Sequence, residues 1–213
     1  MTNNFEIIEN YMINENIPIL HKDAGDLFFC ILLVHRGKDH PNLPAANYTF
    51  KSYYIDSIEK LHKVESEIIQ CCDIFGLRAY ISVNVKSKQK FTQYCNFKFS
   101  QNILNNEYKK PWATIDHAFN KCPPANDKTW IIDVDDIEEH PSWKTDVLST
   151  ILRCRSKYQS PIIMEIPTKS GVHILTRTFH LQEFKEIWEK EHDSTYKVPD
   201  IKQDHITLLY ENI

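Results

Sequence analysis

The sequence is short of several things at once. Its six cysteines, Cys30, Cys71, Cys72, Cys95, Cys122 and Cys154, form no CxxC pair and show no Cys/His ligand spacing. That argues against a structural zinc site and for buried free thiols in a reducing compartment. No apolar run reaches membrane-spanning length, and no basic segment followed by an apolar one opens the chain. The expectation is a cytoplasmic protein with no membrane partner. Positive charge is not in surplus: the formal net charge is −4, which argues against a general nucleic-acid coat but leaves room for a local basic groove. No repeat or low-complexity segment is visible. With 213 residues, 42% hydrophobic and 25% charged, the chain can build a substantial core, as one large domain or two tightly merged ones.

What is present is a readable alternation of elements. Residues 3–15 carry Phe5, Ile8, Tyr11 and Met12 at helical spacing, ahead of Pro18. Residues 27–35 are an apolar run expected as a strand buried on both faces. A charged turn at 36–41 and a loop set by Pro41 and Pro44 should lead to a partner strand at 48–55. Ser57 can cap a helix with Ile58, Leu61, Val64, Ile68, Cys72 and Phe75 on its apolar side, and Gly76 can end it. A third strand is expected over 77–85. Residues 87–103 mix Lys88, Lys90 and Lys98 with Phe91, Tyr94, Phe97 and Phe99, which fits either a nucleic-acid surface or an amphipathic helix with solvated lysines. Residues 105–128 look irregular, around one short helix near 113–120.

The stretch at 129–136, Thr-Trp-Ile-Ile-Asp-Val-Asp-Asp, is an apolar, β-branched strand that ends in acid. Alternation puts Asp133 and Asp135 on one face, about 7 Å apart, and Trp130, Ile132 and Val134 on the other. A helix at 143–158, strands at 161–166 and 172–178, a helix at 181–191 and a strand at 206–210 complete a β-α-β-β-α-β order, the ferredoxin-like or RRM-like unit. The fold class is thus α/β (α+β), with an N-terminal α/β accessory lobe (1–128) packed against an RRM-like unit (129–213).

In that unit Asp133, Asp135 and Asp204 should meet on the face that the two helices leave open, as hard oxygen ligands for Mg²⁺ or Mn²⁺. Asp200 is a rival for the third place. Lys169, Ser170 and His173, around the turn at Gly171, offer donors for a triphosphate, and Arg177 shares their strand face. These are the parts of phosphoryl or nucleotidyl transfer. A crowded carboxylate cluster costs stability, so Asp133→Ala or Asp135→Ala should abolish activity with little loss of fold. The bland alternatives are a strand running into a polar loop, a structural histidine and a plain hairpin linker.

Together these residues resemble the catalytic core of the archaeo-eukaryotic primase, or primase-polymerase, superfamily. Ile132-Asp133-Val134-Asp135 is similar to its DxD strand, Ser170-Gly171-Val172-His173 to its Ser/His motif, and Asp204-His205-Ile206-Thr207 loosely to its third motif. The resemblance covers residues 130–210. It implies nucleotide addition from nucleoside triphosphates on a nucleic-acid template, in company with replication proteins. Asp133, Asp135 and Asp204 would be the catalytic metal ligands, Ser170 and His173 would hold phosphates, and Lys169 and Arg177 would assist. Arg36, Lys38 and Arg78 are weaker candidates for nucleic-acid contact. Gln203 departs from the apolar residue usual before the third-motif Asp. Two other functions use similar parts: a metal-dependent nuclease or phosphoesterase, and a non-catalytic RRM-like binding module, which Lys or Arg partners on Asp133 and Asp135 would favour. His205-Ile206-Thr207-Leu208 has the form of an HxT motif, but His173-Ile174-Leu175-Thr176 lacks the spacing for the second copy that such phosphoesterases need.

Overall fold

The fold is described from a computed structural model covering residues 1–39, 46–108, 111–135, 140–192 and 197–212. Asp136, Pro41 and Pro44, which figure in the sequence reading, lie outside the described residues. The described residues are mixed α/β, 43% helix and 28% strand, with two antiparallel sheets and six helices among them. No described helix is long and apolar enough to cross a membrane.

In chain order the first part holds β1 (Thr2–Asn3), α1 (Phe5–Asn14), β2 (Leu27–His35), β3 (Tyr48–Ile55), α2 (Ile58–Phe75), β4 (Arg78–Ser82), β5 (Lys86–Ser87), α3 (Lys88–Leu104) and α4 (Pro111–Lys121). Ser57 caps α2 by accepting from the Lys60 N–H at 3.2 Å, and Gly76 ends it at φ 59°, a left-handed position where a side chain is strained. β2 pairs with both β3 and β4, which is why its apolar run is almost continuous. No residue of α3 is buried. It rests on α4 with Phe97 and Leu104 exposed, while Lys88 engages Asp56 at 2.6 Å.

The remainder holds β6 (Thr129–Val134), α5 (Trp143–Arg153), β7 (Ile162–Pro167), β8 (Val172–Arg177), α6 (Leu181–Glu191), β9 (Asp200–Lys202) and β10 (Ile206–Glu211). The second sheet runs β7-β8-β6-β9. Trp130, Ile132 and Val134 point with Val172 and Ile174 into a core closed by Val147, Ile151, Phe184 and Trp188 of α5 and α6. Ile131 and Leu175 point the other way, into a core shared with Ile8, Met12, Phe29 and Ile81. The face that the helices leave open is therefore covered by the first sheet. Asn4 ties the two sheets by donating to the carbonyls of Pro167 and Leu208, and Asn84 by bonding both backbone groups of Thr129.

The last strand corrects the expected topology. β10 does not flank β6; that place goes to the three-residue β9. The chain leaves the second sheet after Lys202, and β10 enters the first between β1 and β4, giving the order β1-β10-β4-β2-β3 with β5 beside β2. The reason lies in its composition. Thr207 to Glu211 are all buried, which a central strand with neighbours on both sides satisfies and an edge strand does not. Residues 206–211 thus belong to the sheet otherwise built from residues before 128. α5 also stops early, at Arg153 rather than 158, where Cys154 turns extended.

Candidate active site

Asp133 is the half-buried residue before the fully buried Val134 that ends β6, and Asp135 follows just beyond the strand. Both sit where the inter-sheet face opens into a cleft of about 390 Å³, within the range of small-molecule sites. One wall is the β7–β8 turn with Thr168, Lys169 and Ser170, then His173 on β8. Gly171 allows that turn to lie flat on the end of β6. A Cβ there would stand 1.9 Å from the Val134 carbonyl oxygen and 2.9 Å from the Asp135 Cα. Only a residue without a side chain permits this approach, and it brings the Ser170 hydroxyl to donate to Asp135 Oδ1 at 3.2 Å.

Asp133 is held by two positive or potentially positive groups. Its Oδ1 meets His173 Nε2 at 3.2 Å, and its Oδ2 accepts from Lys202 Nζ at 2.5 Å. His173 is fixed in turn through Nδ1, 2.8 Å from the Thr207 hydroxyl on β10. Burial pushes the Asp133 carboxyl upward, but the hydrogen bonds from His173 and Lys202 and their charges outweigh it. The group ends well below the usual carboxylate range. The crowded acidic cluster expected from sequence is therefore corrected at this residue: Asp133 is a neutralised carboxylate whose loss should cost stability.

The opposite wall comes from the first sheet: Arg36 and Lys38 after β2, with Asn47, Arg78 and Tyr80. Arg78 binds Asp39 through both Nε and Nη2 at 2.8 Å and Glu211 through Nη1 at 2.9 Å. These partners raise its already high pKa against the lowering effect of burial. Arg78 is thus committed to anchoring the 37–39 turn, which is what aims Lys38 at the cleft. Arg36 donates to the Tyr80 hydroxyl at 3.0 Å. Among the described residues, Arg36, Lys38 and Lys169 have no carboxylate partner, so the cleft keeps surplus positive charge beside its two acids.

Two residues expected in the site lie elsewhere. Asp204 does not line the cleft. It accepts from Asn84 and pairs with Lys86 at 3.0 Å, near Thr129 at the other end of β6. Antiparallel pairing is the cause: β9 sets Asp200 opposite Asp133 and Lys202 opposite Ile131, so by residue 204 the chain has moved toward the Thr129 end of β6, before His205 and Ile206 return to the cleft lining. Arg177, at the far end of β8, binds Glu15, the Asp127 carbonyl and the Thr129 hydroxyl. Sequence reasoning missed Lys202, His205, Thr168, Asn47 and Tyr80 as lining residues. Asp200-Ile201-Lys202 alternates as a strand does, but three residues are too few to be recognised without the partner strand.

For the expected metal, the donor set is two hard carboxylates, Asp133 and Asp135, with Asp200 beside them in register. Lys202 Nζ lies 3.7 Å from Asp200 Oδ2 as well as against Asp133, so an internal cation already occupies the position between two carboxylates. Hard carboxylate oxygens are the donor type that a divalent ion such as Mg²⁺ or Mn²⁺ takes. In the arrangement seen, no group of three or more His, Cys, Asp or Glu among the described residues is poised to hold a metal. Compared with protein-family models, curated proteins and solved structures, the chain matches none.

Proposed function

We propose that the chain is a metal-dependent nucleotidyltransferase of primase-polymerase type, adding nucleotides from nucleoside triphosphates on a nucleic-acid template. One observation carries this reading. Asp133 on β6 and Asp135 just past its end line one cleft whose other walls supply Lys169, Ser170, Arg36 and Lys38. Acids and phosphate donors brought from separate segments to one cleft are what in-line displacement at a phosphate requires. The order β7-β8-β6-β9 with α5 and α6 on one face supports treating this part as a ferredoxin-like, RRM-like unit.

In this reading Asp133, Asp135 and Asp200, in place of Asp204, would hold Mg²⁺ or Mn²⁺. When bound, the ion supplies Lewis-acid polarisation of the phosphate under attack. The chain's own residues do the rest. Lys169, the Ser170 hydroxyl and Arg36 bind and orient the triphosphate, and His173 keeps Asp133 directed into the cleft. Lys38, held by the Asp39–Arg78 pair, faces the template backbone.

The test is melting temperature with Mn²⁺ and a nucleoside triphosphate, separately and together, followed by extension of a primed template. A shift that needs both ligands, with extension lost in Asp133→Asn, supports the reading. Absence of extension with any nucleotide and either metal would sink it. The Lys202–Asp133 contact favours a second reading, a phosphate-binding module without chemistry. It predicts a shift with nucleotide alone, indifferent to metal.

A further inference from the structure

Asp133 has one partner braced inside the molecule and one that reaches it from a partly exposed position on an edge strand. His173 reaches Oδ1 from the middle of β8 and is braced by Thr207 on β10. Lys202 reaches Oδ2 from the short edge strand β9, with a quarter of its side chain exposed in the cleft. Its ammonium stands on a flexible four-carbon stem with three donors. The same ammonium lies 3.7 Å from Asp200, whose side chain is 72% exposed. Lys202 therefore fills the place between Asp133 and Asp200 where a second cation would have to enter.

We infer that Lys202 is a positioning residue that exchanges places with the divalent ion. It neutralises Asp133 in the empty cleft and moves to substrate phosphate when the nucleotide arrives, freeing Oδ2. The inference rests on the reading of Asp133 as a metal-holding carboxylate. An ammonium and a divalent ion on one carboxylate oxygen repel each other, and beside the largely buried Asp133 side chain water screens that repulsion only in part. A triphosphate beside Lys169 and Arg36 gives the ammonium a multiply charged partner within the same cleft. Metal and triphosphate then bind with positive coupling, and the coupling acts equally in both directions.

The experiment measures Mn²⁺ binding without nucleotide, from the free-ion electron paramagnetic resonance signal, on the full chain. Wild type, Lys202→Met, Lys202→Gln, Lys202→Arg and Asp133→Asn are compared. Both neutral variants should bind Mn²⁺ at least tenfold more tightly than wild type, and Lys202→Arg should stay at the wild-type level. Melting with tripolyphosphate in the presence of a chelator should show a smaller shift in the neutral variants, since the phosphate loses one cation. If the neutral variants bind Mn²⁺ no better than wild type while Asp133→Asn weakens it, the exchange is wrong and the metal site stands. If Asp133→Asn leaves Mn²⁺ binding unchanged, the metal reading itself falls. Should one neutral variant fail to fold, the other decides.

Discussion

The two ends of the inter-sheet face use the same residue types to opposite effect. At the Thr129 end, Asp204 meets the fully buried Lys86, Arg177 meets Glu15, and Asn84 occupies the backbone of Thr129. Tyr11 closes that end, its hydroxyl bonding the Val83 carbonyl and Thr129, and burial raises its pKa to well above the usual phenol. Each charge named there has a partner inside the molecule. At the Asp133 end the pairing is incomplete: two acids face a cleft with Arg36, Lys38 and Lys169 left over. An aspartate paired with a lysine thus builds a clamp at one end and a candidate site at the other. Space and surplus charge make the difference.

The largest expected effect tests the open end. Asp133→Asn should lower nucleotidyl transfer by about a thousandfold, the scale of removing a group that stabilises developing charge. It should also cost about 1–3 kcal/mol of stability, because Lys202 and His173 lose a charged partner. Single-turnover extension and chemical denaturation measure the two losses. At the closed end the order should reverse. Asp204→Ala strands the buried Lys86 and should cost about 3 kcal/mol, with activity per folded molecule spared. Activity lost in that variant without destabilisation would return Asp204 to the site.

Gly171→Ala bridges the comparison, since its Cβ meets the Val134 carbonyl. It should cost about 1–3 kcal/mol and, by lifting Ser170 from Asp135, also reduce activity. Lys169→Ala should raise the KM for nucleotide about tenfold, about 1.4 kcal/mol, with melting temperature unchanged. The smallest effect is in pH. The folded Asp133 carboxyl lies below its ordinary 3.8, so its charged form stabilises the fold above about that pH. The contribution fades as pH falls through the lower folded value. The stability gap between wild type and Asp133→Asn should therefore shrink on acidification below about pH 4, as denaturation curves at successive pH values would show.

Much of the fold was legible because it is local. Leu27–His35 and Leu181–Glu191 come out with the bounds their patterns suggest, and Ser57 and Gly76 cap α2 by chemistry contained within a few residues. Alternation along β6 was also legible, because a strand's period of two separates Asp133 from Ile132 whatever surrounds it. The partners were not legible. Nothing local distinguishes Asp200 from Asp204, since the choice depends on the register of three residues against β6. Nothing local gives Arg177 to Glu15 or Arg78 to Asp39 and Glu211.

By itself the sequence determined most of the longer elements, their faces and the acid-tipped strand, because propensity, capping and periodicity act over a few residues. Only the tertiary structure decided that β10 crosses into the first sheet and that Lys202 sits on Asp133. It also decided that Arg36 and Lys38 stand across a cleft from them. Those are pairings between segments far apart in the chain, selected by burial of both faces of β10 and by antiparallel register, and neither leaves a mark within any one segment.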